Sequence, residues 1–216
     1  MKKAVCLVLL AAVLSGMLFA LKLSDSTGYA GAGFDAVSGK GKTLLSNSEF
    51  VSEAQGFYVY AGYDVKIGDK MFSRMEYGIV MFPTRFVLGG TSYGKDSGVR
   101  RSVAKNRVGG FIALNCGSNI VLNLGGSASQ TTIKITQSGS GDVYKDIVVG
   151  VGLILEAQYT FNGHFSLRLG FDPDFMLFTT EQHIFTGEDH YEETQSRAAL
   201  GLGWGGAAKL GIAYKF

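Results

Sequence analysis

Two prolines in 216 residues is very few, while glycine takes thirty-one positions. Scarce proline excludes a proline-rich stalk or linker and leaves central strands free of residues that cannot donate to a sheet ladder. Cysteine is as rare, with Cys6 and Cys116 alone. If Cys6 leaves with an N-terminal leader, Cys116 has no intramolecular partner, which excludes a disulfide framework. Charge is sparse too: 18% of residues are charged and the net charge is +2. That excludes the concentrated basic face of a nucleic-acid binder and is lean for a fully water-exposed surface. Beyond the first twenty residues no apolar run approaches the ~18 residues of a transmembrane helix.

What is present begins with a leader. Met1-Lys2-Lys3 is basic, Ala4 to Leu14 is unbroken apolar sequence, and Ser15, Gly16 and Ala20 are small. This is the pattern of a secretory signal peptide over residues 1–20, cut near Ala20. As a retained anchor, Ala4 to Ala20 would reach only the short limit of about 17 residues. Residues 14–17 approach a lipoprotein box, but Met17 stands where the lipidated cysteine is required. Residues 21–216 then form a single domain.

That domain alternates with a period of two, the signature of strands with one apolar face. Phe57, Val59, Ala61, Tyr63 and Val65 oppose Tyr58, Tyr60, Gly62, Asp64 and Lys66. Met71, Met75, Tyr77, Ile79 and Met81 oppose Phe72, Arg74, Glu76, Gly78 and Val80. The same holds for Val108, Ile112 and Leu114 against Arg107, Gly109 and Phe111, and for Ile120, Leu122 and Leu124. It holds again from Ile147 to Phe161, from Phe165 to Asp172 and from Leu200 to Phe216. Eight strands are predicted, at about 27–37, 55–66, 70–82, 106–116, 120–131, 144–161, 165–180 and 196–216. The faces of the first stay unassigned. Tight turns at 67–69, 117–119 and 162–164 alternate with long connections at roughly 38–54, 88–105, 132–143 and 181–195. The tight turns predict the pairings Lys66–Lys70, Cys116–Ile120 and Phe161–Phe165, each keeping apolar faces on one side.

Such an order of strands forms an up-and-down barrel, with its apolar face either inside, in water, or outside, in lipid. The apolar face carries almost no charge, whereas the other mixes glycine with Arg74, Glu76, Glu156, Arg168 and Lys209, as a narrow filled lumen requires. Tyr63, Tyr159, Phe161, Phe165, Tyr214 and Phe216 cluster beside the tight turns, as an aromatic girdle would. The expected fold is therefore all-β, an eight-stranded antiparallel up-and-down transmembrane β-barrel. Its lumen should hold a charge network of Asp64, Arg74, Glu76, Glu156, Arg168 and Lys209. The register brings Glu156 diagonal to Arg168 and Asp64 diagonal to Arg74.

A leader, eight alternating strands and a last strand ending Tyr214-Lys215-Phe216 resemble the small bacterial outer-membrane proteins of the OmpA, OmpX and OmpW type. The resemblance covers about residues 25–216. It implies a location in the bacterial outer membrane with both termini periplasmic, and outer-membrane lipid as surroundings. It also implies Tyr214 and Phe216 as an insertion signal read by the barrel-assembly machinery. It says little of function, since such folds host adhesins, conduits and enzymes.

Chemistry is thin elsewhere. Residues 36–43, "AVSGKGKT", approach a phosphate-binding loop, but Ala36 replaces its first glycine and no helix follows; they read as a basic surface loop. His183 and His190 with Glu181, Glu188, Asp189, Glu192 and Glu193 make an acidic loop without metal-ligand spacing. His190 and Ser196 show no spacing of a base and nucleophile. Lys95, Arg100, Arg101 and Lys105 form a basic patch on loop 88–105, suited to the acidic loop 181–195 or to anionic glycolipid or host polymers. The sequence thus predicts a non-catalytic surface protein with a polar-plugged lumen and no cofactor or metal. The alternative is an OmpW-like conduit or pocket for small hydrophobic molecules, opened beside Gly201, Gly203 and Gly205.

Overall fold

Strand alternation carries through to a closed sheet in the computed structural model, which describes residues 26–43, 49–88, 91–94, 98–137, 142–186 and 192–216. The predicted leader, residues 1–20, lies outside the described residues. The strands are β1 (Ser26–Thr43), β2 (Glu49–Lys66), β3 (Met71–Leu88), β4 (Thr91–Ser92), β5 (Val99–Asn115), β6 (Ile120–Gln137), β7 (Val143–Thr160), β8 (Phe165–Thr186) and β9 (Glu192–Lys215). β4 is a two-residue addition paired with β3. The eight long strands are antiparallel in chain order, and pairing of β1 with both β2 and β9 closes the ring. The chain is an all-β, eight-stranded up-and-down barrel.

Its wall is inside out by the standard of a soluble protein. Leu153, Leu169, Phe171, Trp204, Leu210 and Ile212 are exposed on the exterior, while Asp64, Arg74, Glu76, Arg107, Glu156, Arg168 and Lys209 are buried within. Water would not tolerate that exterior and lipid would, so the barrel is a transmembrane one. At the tight turns the girdle is built of touching rings: Tyr159 meets Phe161 at 5.1 Å, Phe165 meets Tyr214 at 4.9 Å, and Tyr214 meets Phe216 at 5.1 Å between ring centroids. The opposite edge carries Phe175 paired with Trp204. From Tyr214 to Trp204, at ~3.3 Å per residue and a tilt of ~40°, the apolar band is about 25 Å tall.

Above that band the pattern changes phase. On β6 the apolar residues Ile120 and Leu124 face out, but Ile133 and Ile135 are buried and point in. On β3 exposed Met71, Met75 and Tyr77 give way to buried Val80, Phe86 and Leu88. On these two strands the side-chain period does not break; what changes is the solvent outside, from lipid to water. The protruding part of the cylinder therefore has an ordinary core, in which Val37, Ala54, Val80, Phe86, Val103, Ile133, Ile135, Val148 and Met176 pack together.

This phase change explains the main departures from the predicted boundaries. The stretches expected as long loops at 38–54, 88–105, 132–143 and 181–195 are largely strand, because β1, β2, β5, β6, β7, β8 and β9 continue past the lipid. Residues 36–43 belong to β1 rather than to a surface loop. Two tight-turn registers stand as expected, with Asn115 opposite Val121 and Thr160 opposite Ser166. The first hairpin is displaced by two residues. Ile67 N–H bonds Met71 C=O at 2.9 Å, so Lys66 faces Phe72 rather than Lys70, and Asp64 lies directly opposite Arg74. The displacement preserves which face each residue occupies and separates two like charges.

Both prolines mark breaks in the ladder, as residues without an N–H must. The β2–β3 register shifts between Gln55 and Phe57, across from the segment holding Pro83. Pairing of β7 with β8 is interrupted opposite Pro173, between Gly152–Asp174 and Leu155–Phe171.

Candidate functional site

The inner face of a narrow barrel must be filled, and here tyrosines do it by lying over glycines. A side chain at Gly78 would collide with the Tyr58 ring, and one at Gly31 or Gly211 with the Tyr60 hydroxyl. Tyr58 and Tyr60 stack at 5.6 Å. The rings lie flat over the neighbouring strands only because Gly78, Gly31 and Gly211 have no Cβ there, a close approach that only glycine allows.

On this scaffold the inward charges form one connected ladder. At the tight-turn end Arg74 Nε donates to Asp64 at 2.8 Å, and its Nη2 donates to Glu156 at 3.0 Å. Arg168 Nη1 donates to Asp64 at 2.7 Å, and Asn123 donates to Glu156 at 2.8 Å. The Arg74 guanidinium also lies 4.7 Å from the Phe111 ring centre and 5.0 Å from that of Tyr29, where cation–π attraction offsets lost hydration. One layer up, Lys209 donates to Glu76 at 2.7 Å, while the Tyr58 and Tyr29 hydroxyls donate to the same carboxylate at 3.2 and 3.3 Å. Asp172 bridges Lys209 and Arg107. Arg107 reaches Asp174 at 2.8 Å, and Lys105 joins Asp174 at 2.7 Å to Asp35 at 2.9 Å.

Several placements differ from the sequence reading. Arg168 lies 3.7 Å from its expected partner Glu156, but its short bond goes to Asp64. Arg74, not Arg168, is the hub between the two carboxylates. Lys105, expected on a basic surface loop, is fully buried in the lumen between Asp35 and Asp174. It sits on β5, which begins at Val99, so the patch loses its innermost member. Arg100 is exposed on the same strand, Arg101 donates to the Tyr93 carbonyl at 3.1 Å, and Lys95 lies outside the described residues.

Asp35, Arg107, Asp172 and Asp174 join the ladder without having been singled out. Arg107 and Asp172 are on the polar face of their strands, but a hairpin register relates only neighbouring strands, and β5 meets β8 across the lumen. Asp35 lies in a glycine- and alanine-rich strand whose alternation is too weak to assign its faces, and Asp174 follows the proline break.

The remaining candidates stay apart from this ladder. His164 sits at an exposed tight turn, where its ring stacks on Tyr214 at 5.7 Å. His183 belongs to β8, while Glu188, Asp189 and His190 lie outside the described residues. Among the described residues no group of three or more His, Cys, Asp or Glu is arranged to hold a metal ion. Cys116 is exposed beside its turn. Gly205 faces the Met176 methyl, 2.9 Å from where a Cβ would stand, so Met176 occupies the space beside that stretch of glycines.

No protein-family model and no curated protein matches this chain. Among solved structures it is similar to Neisserial surface protein A, at 15% identity over 88% of this chain and 97% of that one, with a TM-score of 0.48. It is similar likewise to a major outer-membrane protein of Thermus thermophilus, at 15% identity over 88% and 99%, with a TM-score of 0.49. The outer-membrane protease OmpT of Escherichia coli is similar at 7% identity over 89% and 97%, with a TM-score of 0.44.

Proposed function

We propose that this protein is a small, non-catalytic barrel of the bacterial outer membrane whose lumen is plugged and whose work is done at its surface. The observation that carries the reading is the lumen's double closure. A ladder of paired charges fills the band within the lipid, and an apolar layer of Val103, Ile133, Val148 and Met176 sits directly above it. An ion entering from either end meets one layer whose charges are already paired and another that is apolar. The tight turns face the periplasm in this reading, with both ends of the domain on that side. The protruding cylinder, with Arg100, Lys134 and Lys145 outward, meets anionic glycolipid or host polymers.

Planar-bilayer recordings are the direct test of the plug. The folded protein is expected to give no steady conductance, only brief events. A large, sustained single-channel current from the unaltered protein would overturn the closed-lumen reading and restore the narrow-conduit alternative.

The end of β9 is proposed as the segment engaged by the assembly machinery. Phe216 N–H bonds the Ser26 carbonyl at 3.1 Å, and its ring lies over Gly28, so it joins β9 to β1 at the closing seam. Phe216→Ser is expected to leave most of the chain unfolded in the periplasm, read as loss of the heat-modifiable species from the outer-membrane fraction. Undiminished folded protein there would remove Phe216 from the signal.

A further inference from the structure

At the tight-turn end the lumen is not filled. It opens into a vestibule of about 320 Å³ that ends on the charge ladder. Its depth and its wall have different chemistry. Arg168 lies at the base, buried, with its Nε lacking any hydrogen-bond partner. Asp64 beside it is already spent, since both its oxygens accept bonds from Arg74 and one also from Arg168. The rim adds Lys66, Lys70 and Lys215 against the carboxylate of Asp69, so the cavity carries a positive excess. One wall is apolar and flat: Phe72 and Phe111 stack there at 5.2 Å with planes 8° apart.

We propose that this vestibule binds small aromatic carboxylates, with the carboxylate on the Arg168 guanidinium and the ring along the Phe72–Phe111 wall. A buried donor without a partner is costly, and an anion arriving from the turn side gives Arg168 a charge-assisted partner once its side chain turns toward the cavity. The rim lysines draw the anion in and weaken with salt. A bare inorganic anion would meet the same charges but leave the phenyl wall wet, so the site favours ligands that carry both parts. The proposal stands on the cavity itself and holds whether or not the lumen above it conducts.

Benzoate is the probe, titrated calorimetrically into the full protein in lipid nanodiscs with empty nanodiscs as the blank. Saturable binding is expected, weakened about tenfold or more for benzyl alcohol, which keeps the ring and loses the charge. Arg168→Gln should abolish it. Because that variant also disturbs the ladder, Lys70→Glu, at an exposed turn position, serves as the second; it should weaken benzoate severalfold while leaving the heat-modifiable fold intact. Inorganic phosphate should compete poorly. Any of three results overturns the site: no saturable heat above the blank, benzoate affinity unmoved by Lys70→Glu, or phosphate competing as well as benzoate itself.

Discussion

Replacing Leu153 with arginine is expected to cost about 2–4 kcal/mol of folding stability in a lipid bilayer. Leu153 is exposed on the outer face of β7, between Val151 and Leu155, and its partner on β6 is Gly126, which offers no side chain for shelter. It lies well inside the apolar band, between Tyr159 at the lower girdle and Lys145 above the upper edge. An arginine there must bring its charge into hydrocarbon or bend a long way to reach either interface. Gln158→Arg on the same strand supplies the control. Gln158 lines the wet vestibule opposite Arg168, so the added charge meets water as well as like charges, Arg168 opposite and the rim lysines beyond, and its cost should fall well short of that of Leu153→Arg. Urea titrations of both variants folded into vesicles decide the matter. Equal losses would mean that the exterior of this barrel does not face lipid.

That facing was legible in the sequence because the period of two runs unbroken through the lipid-facing part of the strands, the one-residue shifts near Met176 and Phe178 coming only at its upper edge. Even the first hairpin, misplaced by two residues, kept Asp64 and Arg74 inside, since an even displacement never exchanges the faces. The displacement arises because Ile67-Gly68-Asp69 and Gly68-Asp69-Lys70 are equivalent as three-residue turns, both placing glycine and aspartate in the loop. The upper third of the barrel was lost for a different reason. At the lipid boundary the apolar set moves from the outward to the inward residues, as between Leu124 and Ile133 on β6. Read along the chain, such a change looks like the end of a strand. Lys105 was misplaced by that effect: it precedes the apolar-out segment of β5 and so read as loop, yet it is one of the most deeply buried cations in the molecule.

The ladder was legible only in part, because hairpin pairing speaks of adjacent strands while many of its bonds cross the lumen. Arg74 on β3 reaches Glu156 on β7, and Lys209 on β9 reaches Glu76 on β3. No spacing within the sequence encodes those meetings. They follow from closing the ring to a diameter that long side chains can span.

Arg74→Met should therefore be the most damaging single change in the lumen, at about 3–5 kcal/mol, because it leaves carboxylates buried without their cation. The two carboxylates do not suffer equally. Asp64 keeps Arg168 at 2.7 Å, whereas Glu156 is left with Asn123 at 2.8 Å and an Arg168 that lies 3.7 Å away. Neutralising Glu156 should then rescue the variant better than neutralising Asp64. Arg74→Met with Glu156→Gln removes one charge of each sign, preserves the short Asp64–Arg168 pair and leaves an amide able to bond Asn123. Arg74→Met with Asp64→Asn removes the same net charge but requires Arg168 to move toward Glu156. The expected order of stability is wild type, then Arg74→Met/Glu156→Gln, then Arg74→Met/Asp64→Asn, with Arg74→Met alone the weakest. Single and double variants unfolded in urea under identical lipid conditions give the coupling energies directly. Additive losses, or an Arg74→Met barrel within about 1 kcal/mol of wild type, would show that water rather than the ladder satisfies these charges.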